Sequence, residues 1–234
     1  MPGLFITGTD TGVGKTFVTA ALARVLHAAG RRVAVRKPVE SGCERVGDQL
    51  LGHDARCLQA AAGAWETAEQ ICPFRFTAAL SPEHAARLEG VPLRLEEVVK
   101  AASSGLATAD LVLVEGAGGW YSPLTGDGLN ADLAEALQLP VLIIAADRLG
   151  AINHSLLTLE AIAQRQLPCR GIVLNQADPG SDFGGDNQGD LKRLTEQRIF
   201  TLPWQTEVSC SARAASDALQ MLTHELLAEM DPHV

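Results

Sequence analysis

Residues 8–16 read GTDTGVGKT, between the apolar run LFIT at 4–7 and a periodic stretch over 16–29. Strand, glycine-rich loop and helix in that order form a phosphate-binding loop. Gly8, Gly12 and Gly14 let several backbone N–H groups converge on one anion, and the helix N-terminus adds its dipole. Lys15 supplies charge to the outer phosphates, and the Thr16 hydroxyl suits Mg2+. The spacing is unusual. Four residues normally separate the first glycine from Gly-Lys-Ser/Thr, whereas five separate Gly8 from Gly14 here. Asp10 and Thr11 fill the lengthened loop.

Working outward, the runs LFIT, RVAVR (32–36), LVLVE (111–115), VLIIAA (141–146) and GIVLN (171–175) are apolar and β-branched without polar alternation. Such runs suit parallel strands buried on both faces. Helical patterns lie between them. Residues 16–29 place Val18, Ala21, Leu22, Val25 and Ala29 on one face and close at Gly30, a natural C′ residue. Residues 152–166 do the same with Ile152, Leu156, Leu159 and Ala163, and further helices are expected at 54–63, 81–89 and 95–104. The expectation is an α/β protein, one P-loop domain over residues 1–234, with helices on both faces of a mostly parallel sheet. Ligands then belong at the carboxyl ends of the strands. The stretch DPGSDFGGDNQGD (178–190) reads as a mobile loop.

Composition narrows the partners. With 19 basic against 28 acidic residues the net charge is −9, so nucleic acid and anionic membrane are excluded as expectations. The five cysteines are scattered without a CxxC pair and read as reduced thiols. The N-terminus has no basic leader pattern, and the longest apolar run, LPVLIIAA (139–146), is too short to span a bilayer. A cytoplasmic protein is expected.

Other strand ends carry candidates. Glu115 closes an apolar strand, where an acid needs a cation and where acids of the Walker B type hold Mg2+. Gly118 and Gly119 after it offer N–H groups for a second anion nest. Asn175, with Gln176 next and Asp178 beyond, sits where a nucleobase is read, and an amide can both donate to and accept from adenine. Lys37 precedes Pro38, which holds its backbone extended at a strand tip and aims a second ammonium at the ligand edge. Asp54 reads as a helix N-cap. Arg148, Gly150, Asn153 and His154 share the same edge, His154 as a packed or capping residue.

Together, GTDTGVGKT, KPVESG (37–42), HDA (53–55), VEGAGGWYSPL (114–124), RLGAINHSLLT (148–158) and PW (203–204) resemble the dethiobiotin synthetase family, in order and nearly in register up to about residue 205. The resemblance implies an ATP-dependent ligase that joins CO2 to 7,8-diaminononanoate, through a carbamate and a carbamic-phosphoric anhydride. It implies a nucleotide site of Gly12, Val13, Gly14, Lys15, Thr16 and Phe17, with Asp54, Glu115, Gly116, Ala117 and Gly118 opposite. Asn175, Gln176, Pro203, Trp204 and Gln205 complete it, with Asn175, Pro203 and Trp204 around adenine. Lys37 and Lys15 become catalytic, and Thr16, Asp54 and Glu115 surround Mg2+. Thr11 and Ser41 contact the diamine or carbamate. Gly150 and Asn153 of a second copy hold the substrate carboxylate, which implies a homodimer. Family members often carry Glu at the position of Gly12, so that carboxylate is missing here.

Two other classes compete. A switch or partitioning ATPase of the P-loop superfamily would carry a second lysine where this loop has Asp10, and a basic face on the helix expected at 215–230. An amidotransferase-type synthetase would need a glutaminase domain for which 234 residues leave no room.

Overall fold

The computed structural model describes residues 2–176, 185–203, 220, 221, 223 and 224. In chain order they form β1 (Gly3–Gly8), α1 (Lys15–Ala28), β2 (Val33–Arg36), β3 (Val39–Glu40), β4 (Glu44–Val46), β5 (Gln49–Leu51), α2 (His53–Ala61), α3 (Ala68–Ile71), β6 (Phe74–Arg75), α4 (Pro82–Leu88) and α5 (Leu95–Ser103). The second half adds β7 (Leu111–Gly119), β8 (Pro123–Thr125), β9 (Gly128–Leu129), α6 (Asn130–Leu137), β10 (Val141–Ala146), α7 (Ala151–Gln164), β11 (Cys169–Asn175), α8 (Asn187–Leu194) and β12 (Ile199–Leu202).

Six strands make one sheet in the order β12-β11-β10-β1-β7-β2, every neighbouring pair parallel. Its two faces follow the strand period of two. Phe5, Ala34, Val112, Val114, Ile143 and Ile172 face one core, with α4, α5, α6 and α7. Leu4, Ile6, Val33, Val35, Leu113 and Ile144 face the other, with α1 and α2. Leu22, Leu26 and Leu58 are fully buried in the second core. Truncating one of them to alanine would cost about 2–5 kcal/mol, the transfer loss plus the cavity. The α/β expectation therefore holds, with five strands where the sequence places them. The sixth, IFTL at 199–202, is too short to stand out from its flanks.

Several local expectations shift. In α1 the inner face uses Leu26, while Val25 is half-buried and Ala29 is exposed. In α7 Ala163 is exposed, and Ser155 and Thr158 join Ala151 and Ile162 inside. The expected loop 178–190 ends in structure, because 187–190 form the first turn of α8, capped by the Asp186 carboxylate on the Gly189 N–H at 2.8 Å. Residues 178–184 lie outside the described residues, as does most of the helix expected at 215–230. Gly30 has φ +81°, as its expected place past α1 requires. Cys43, Cys72 and Cys169 are free thiols. Cys57 is disulfide-bonded, which corrects the expectation of five reduced thiols. No helix among the described residues is long and apolar enough to cross a membrane.

Candidate active site

The chain crosses from β7 on one side of β1 to β10 on the other, so the sheet's topological switch lies at β1, where the phosphate loop leaves the sheet. Gly14 is the N-cap of α1 with φ +93°. A Cβ there would also overlap the Asn175 amide, so glycine is required both by conformation and by space. The Asn175 Nδ2 donates to the Val13 carbonyl at 3.0 Å, tying the end of β11 to the loop. Lys15 is buried, and its Nζ donates to the Asp10 carbonyl at 3.0 Å. Burial first, and then the Lys37 charge, push its pKa down to about 8, against the pull of Glu115, Asp54 and Asp10.

Lys37 follows β2 and is 4% exposed. Its Nζ donates to Glu115 Oε1 at 2.7 Å and lies 3.0 Å from Asp54 Oδ2. Burial lowers the Lys37 pKa, but the two carboxylates outweigh it and raise the value above that of a free lysine. Burial likewise pushes Asp54 up, and the Lys37 charge overrides it, so its carboxyl is held below the usual aspartate range. Both ends of the pair are thus ionised.

Glu115 differs from expectation in its setting. It lies within β7 rather than at its tip, since the strand continues to Gly119. The β2 ladder stops at Val114 and the β1 register shifts between Ile6 and Gly8, which frees this part of β7 from regular pairing. Glu115 Oε1 also accepts from Thr16 Oγ1 at 2.8 Å, while Oε2 is buried with no hydrogen-bond partner. A buried carboxylate oxygen without a donor calls for a cation. Glu115, Asp54 and Thr16 are hard oxygen donors that suit Mg2+, which takes one or two carboxylates and completes its octahedron with water and phosphate oxygens. Among the described residues there is no group of three or more His, Cys, Asp and Glu able to hold a metal.

These groups share a cavity of about 310 Å³. The loop contributes Thr11, Gly12, Gly14, Lys15 and Thr16; the segment after β2 contributes Lys37, Glu40 and Ser41. Asp54 enters from α2, and Glu115, Ala117 and Gly118 enter from β7. Ser41 Oγ donates to the Leu80 carbonyl at 2.6 Å, which leaves its oxygen lone pairs to accept from a ligand. The Gly119 N–H, expected to help a second anion nest, instead donates to Ser122 Oγ at 2.8 Å.

Other sequence candidates lie beside the cavity or away from it. Val13 is buried, Phe17 is half-buried, and the carbonyl of Gly116 sits 3.4 Å from Lys37 Nζ. Gln176 approaches Asp147 Oδ2 at 3.5 Å, and its N–H donates to the Leu202 carbonyl, next to the exposed Pro203. Trp204, Gln205 and Asp178 lie outside the described residues. Gly150 caps α7, and Asn153 and His154 are exposed, so of the two readings of His154, packed or capping, packing does not hold.

Two residues escape the sequence reading. The Glu40 carboxylate accepts the N–H groups of Asp54 and Ala55 at 2.8 and 3.0 Å. Asp54 is therefore not the N-cap expected: Gly52 is, without a side-chain bond, and Glu40 does the capping from β3. Asn130, at the start of α6, accepts from the Ala117 N–H at 2.9 Å and donates back to its carbonyl at 2.6 Å. It fixes the glycine-rich end of β7. No motif marks either role, because both depend on segments brought together only by folding.

Comparison with known proteins bears on fold and on family. Solved structures share the fold: the MinD cell division protein of Aquifex aeolicus superposes with a TM-score of 0.60 at 14% identity, covering 97% of this chain and 98% of that one. A ParA family ATPase of Chlorobium tepidum TLS gives 0.57 at 14% identity, with 97% of each chain covered. Identities this low carry the fold alone. A family model described as an AAA domain matches residues 2–211. Sequence relatives are nearer: the ATP-dependent dethiobiotin synthetase BioD of Anaeromyxobacter dehalogenans (strain 2CP-C) is 46% identical over 94% of this chain and 97% of its own length. The protein of the same name from Xanthomonas oryzae pv. oryzae (strain PXO99A) is 41% identical over 91% of this chain and 96% of its own. Identity at that level over nearly the whole chain decides the matter: the protein belongs to the ATP-dependent dethiobiotin synthetase family.

Proposed function

We propose that the protein, as one ligase domain over residues 1–234, joins CO2 to 7,8-diaminononanoate with cleavage of ATP to ADP and phosphate, closing the cyclic urea of dethiobiotin. The observation that carries this reading is Lys37, a buried ammonium fixed by Glu115 and Asp54 in the same cavity as Lys15, Thr11 and Ser41. Each stage of the reaction is an anion, and a dry pocket with fixed cations stabilises developing negative charge far better than water does.

One amine of the diamine adds to CO2 and loses a proton, giving a carbamate. Ser41 and Thr11 orient that end, and Lys37 meets the carbamate charge. A carbamate oxygen then attacks the γ-phosphorus of ATP and ADP leaves, while Lys15 and the loop N–H groups hold the phosphoryl oxygens. The second amine attacks the carbonyl carbon of the mixed anhydride, the C–O bond to phosphate breaks, the departing phosphate takes the amine proton, and the ring closes. Thr16, Asp54 and Glu115 would hold Mg2+, which would supply charge neutralisation at the phosphates. Asn175, Gln176 and Pro203, with Trp204 and Gln205, take the adenine side.

A homodimer completes the site in this reading. Gly150 and Asn153 do not line the cavity of their own chain; the family resemblance assigns them to the site of a second copy, where they would hold the substrate carboxylate. Leu149 is 85% exposed beside Gly150, and Leu157 on α7 is 58% exposed, two apolar side chains open to such contact. The test is to incubate the protein with ATP, Mg2+, bicarbonate and the diamine and follow dethiobiotin by mass. ATP hydrolysis indifferent to the diamine, with no cyclic urea formed, would sink the proposal.

A further inference from the structure

We infer that Glu40 is a positioning residue for Asp54: it caps α2 from outside the helix and thereby leaves the Asp54 carboxylate free for metal and lysine. The first N–H groups of a helix need acceptors, which the N-cap side chain ordinarily supplies. The N-cap here is Gly52, which has no side chain to offer. Both Glu40 oxygens already take that role, Oε1 on the Asp54 N–H at 2.8 Å and Oε2 on the Ala55 N–H at 3.0 Å. With its own helix satisfied, Asp54 directs Oδ2 to Lys37 Nζ at 3.0 Å.

The close approach is built into the neighbouring backbone. A Cβ at Gly52 would overlap the Glu40 carboxylate, so the glycine at the N-cap makes room for the acid. Glu40 is 6% exposed and borders the reaction cavity. It is anchored in turn, since its strand β3 pairs with β6 and its backbone carbonyl accepts from the Phe76 N–H at 2.9 Å. Residues that orient metal ligands without touching the metal commonly change metal affinity about 10–100-fold when altered.

The inference rests on the proposed Mg2+ site, and one set of measurements separates the two. Mn2+ binding in the presence of a non-hydrolysable ATP analogue is measured by electron paramagnetic resonance for the wild type, Glu40→Gln, Glu40→Ala and Gly52→Ala. Thermal melting is followed in parallel. Glu40→Gln should still fold and bind Mn2+ about tenfold more weakly. Gly52→Ala keeps every charge but drives the carboxylate off the helix end, and a similar loss is expected. Nucleotide binding without metal should be unchanged in all four proteins. If Gly52→Ala binds Mn2+ within twofold of wild type, positioning is overturned, and any loss in Glu40→Gln reflects charge alone. If the wild type gains no Mn2+ binding from the nucleotide analogue, the metal site itself fails and the inference falls with it.

Discussion

Arg36 and Lys37 are consecutive, both buried, and each paired with a glutamate at nearly the same distance, 2.6 Å to Glu66 and 2.7 Å to Glu115. They differ in what pairing leaves over. Both Glu66 oxygens are used, one by Arg36 and the other by the Val35 N–H, and Arg36 donates further to the Val35 and Ser104 carbonyls. Trp65 reinforces this side, with its Nε1 on the Val33 carbonyl and Arg32 stacked over its ring. That cluster seals the edge of the sheet at β2, where unpaired backbone groups would otherwise be open. Lys37 and Glu115, in contrast, border the cavity, and Glu115 keeps a buried oxygen without a partner. Arg36 Nε is also unpartnered, but neither it nor Glu66 lines that cavity. A buried ion pair alone is therefore no sign of function; unspent polar capacity facing a cavity is.

The contrast can be broken at either pair. Glu66→Ala strands a buried guanidinium, so chemical denaturation should show a loss of about 3–5 kcal/mol while kcat per folded molecule is kept. A loss of kcat at unchanged stability would erase the distinction. Lys37→Ala should do the converse for catalysis, lowering product formation by about 10²–10³-fold or more while nucleotide still binds in equilibrium dialysis. Turnover surviving largely intact would remove Lys37 from its role. Glu115→Gln should raise the Mg2+ concentration needed for half-maximal rate by at least about tenfold, read from a metal titration. Ser41→Ala is the mildest: loss of one hydrogen bond of about 1 kcal/mol should raise KM for the diamine about fivefold with kcat little changed.

The sequence carried the frame well because its signals are local. Buried parallel strands are continuous apolar runs, and the loop at 8–16 announces itself by glycine, lysine and threonine in a fixed order. What escaped is non-local or masked by composition. The strand at 199–202 is four residues long, and the glycines at 116, 118 and 119 read as lying past the strand's end although β7 runs through them. Asp54 carried an N-cap signal, and only the fold brings Glu40 to the helix end in its place. Asn130 binds a peptide unit 13 residues away, which no spacing rule encodes. The Arg36–Glu66 pair, 30 residues apart in the chain, was equally silent.

The most direct measurement follows the oxygen atoms of CO2. If a carbamate oxygen attacks the γ-phosphorus and the later cleavage breaks the carbon–oxygen bond, inorganic phosphate must keep that oxygen. Single-turnover reactions with CO2 labelled with heavy oxygen, stopped before exchange with water, should release phosphate carrying one labelled atom, seen by mass or by phosphorus NMR. Dethiobiotin formed together with unlabelled phosphate would contradict the carbamate–phosphate route, and with it the role of Lys37 and Lys15 as the charges around it.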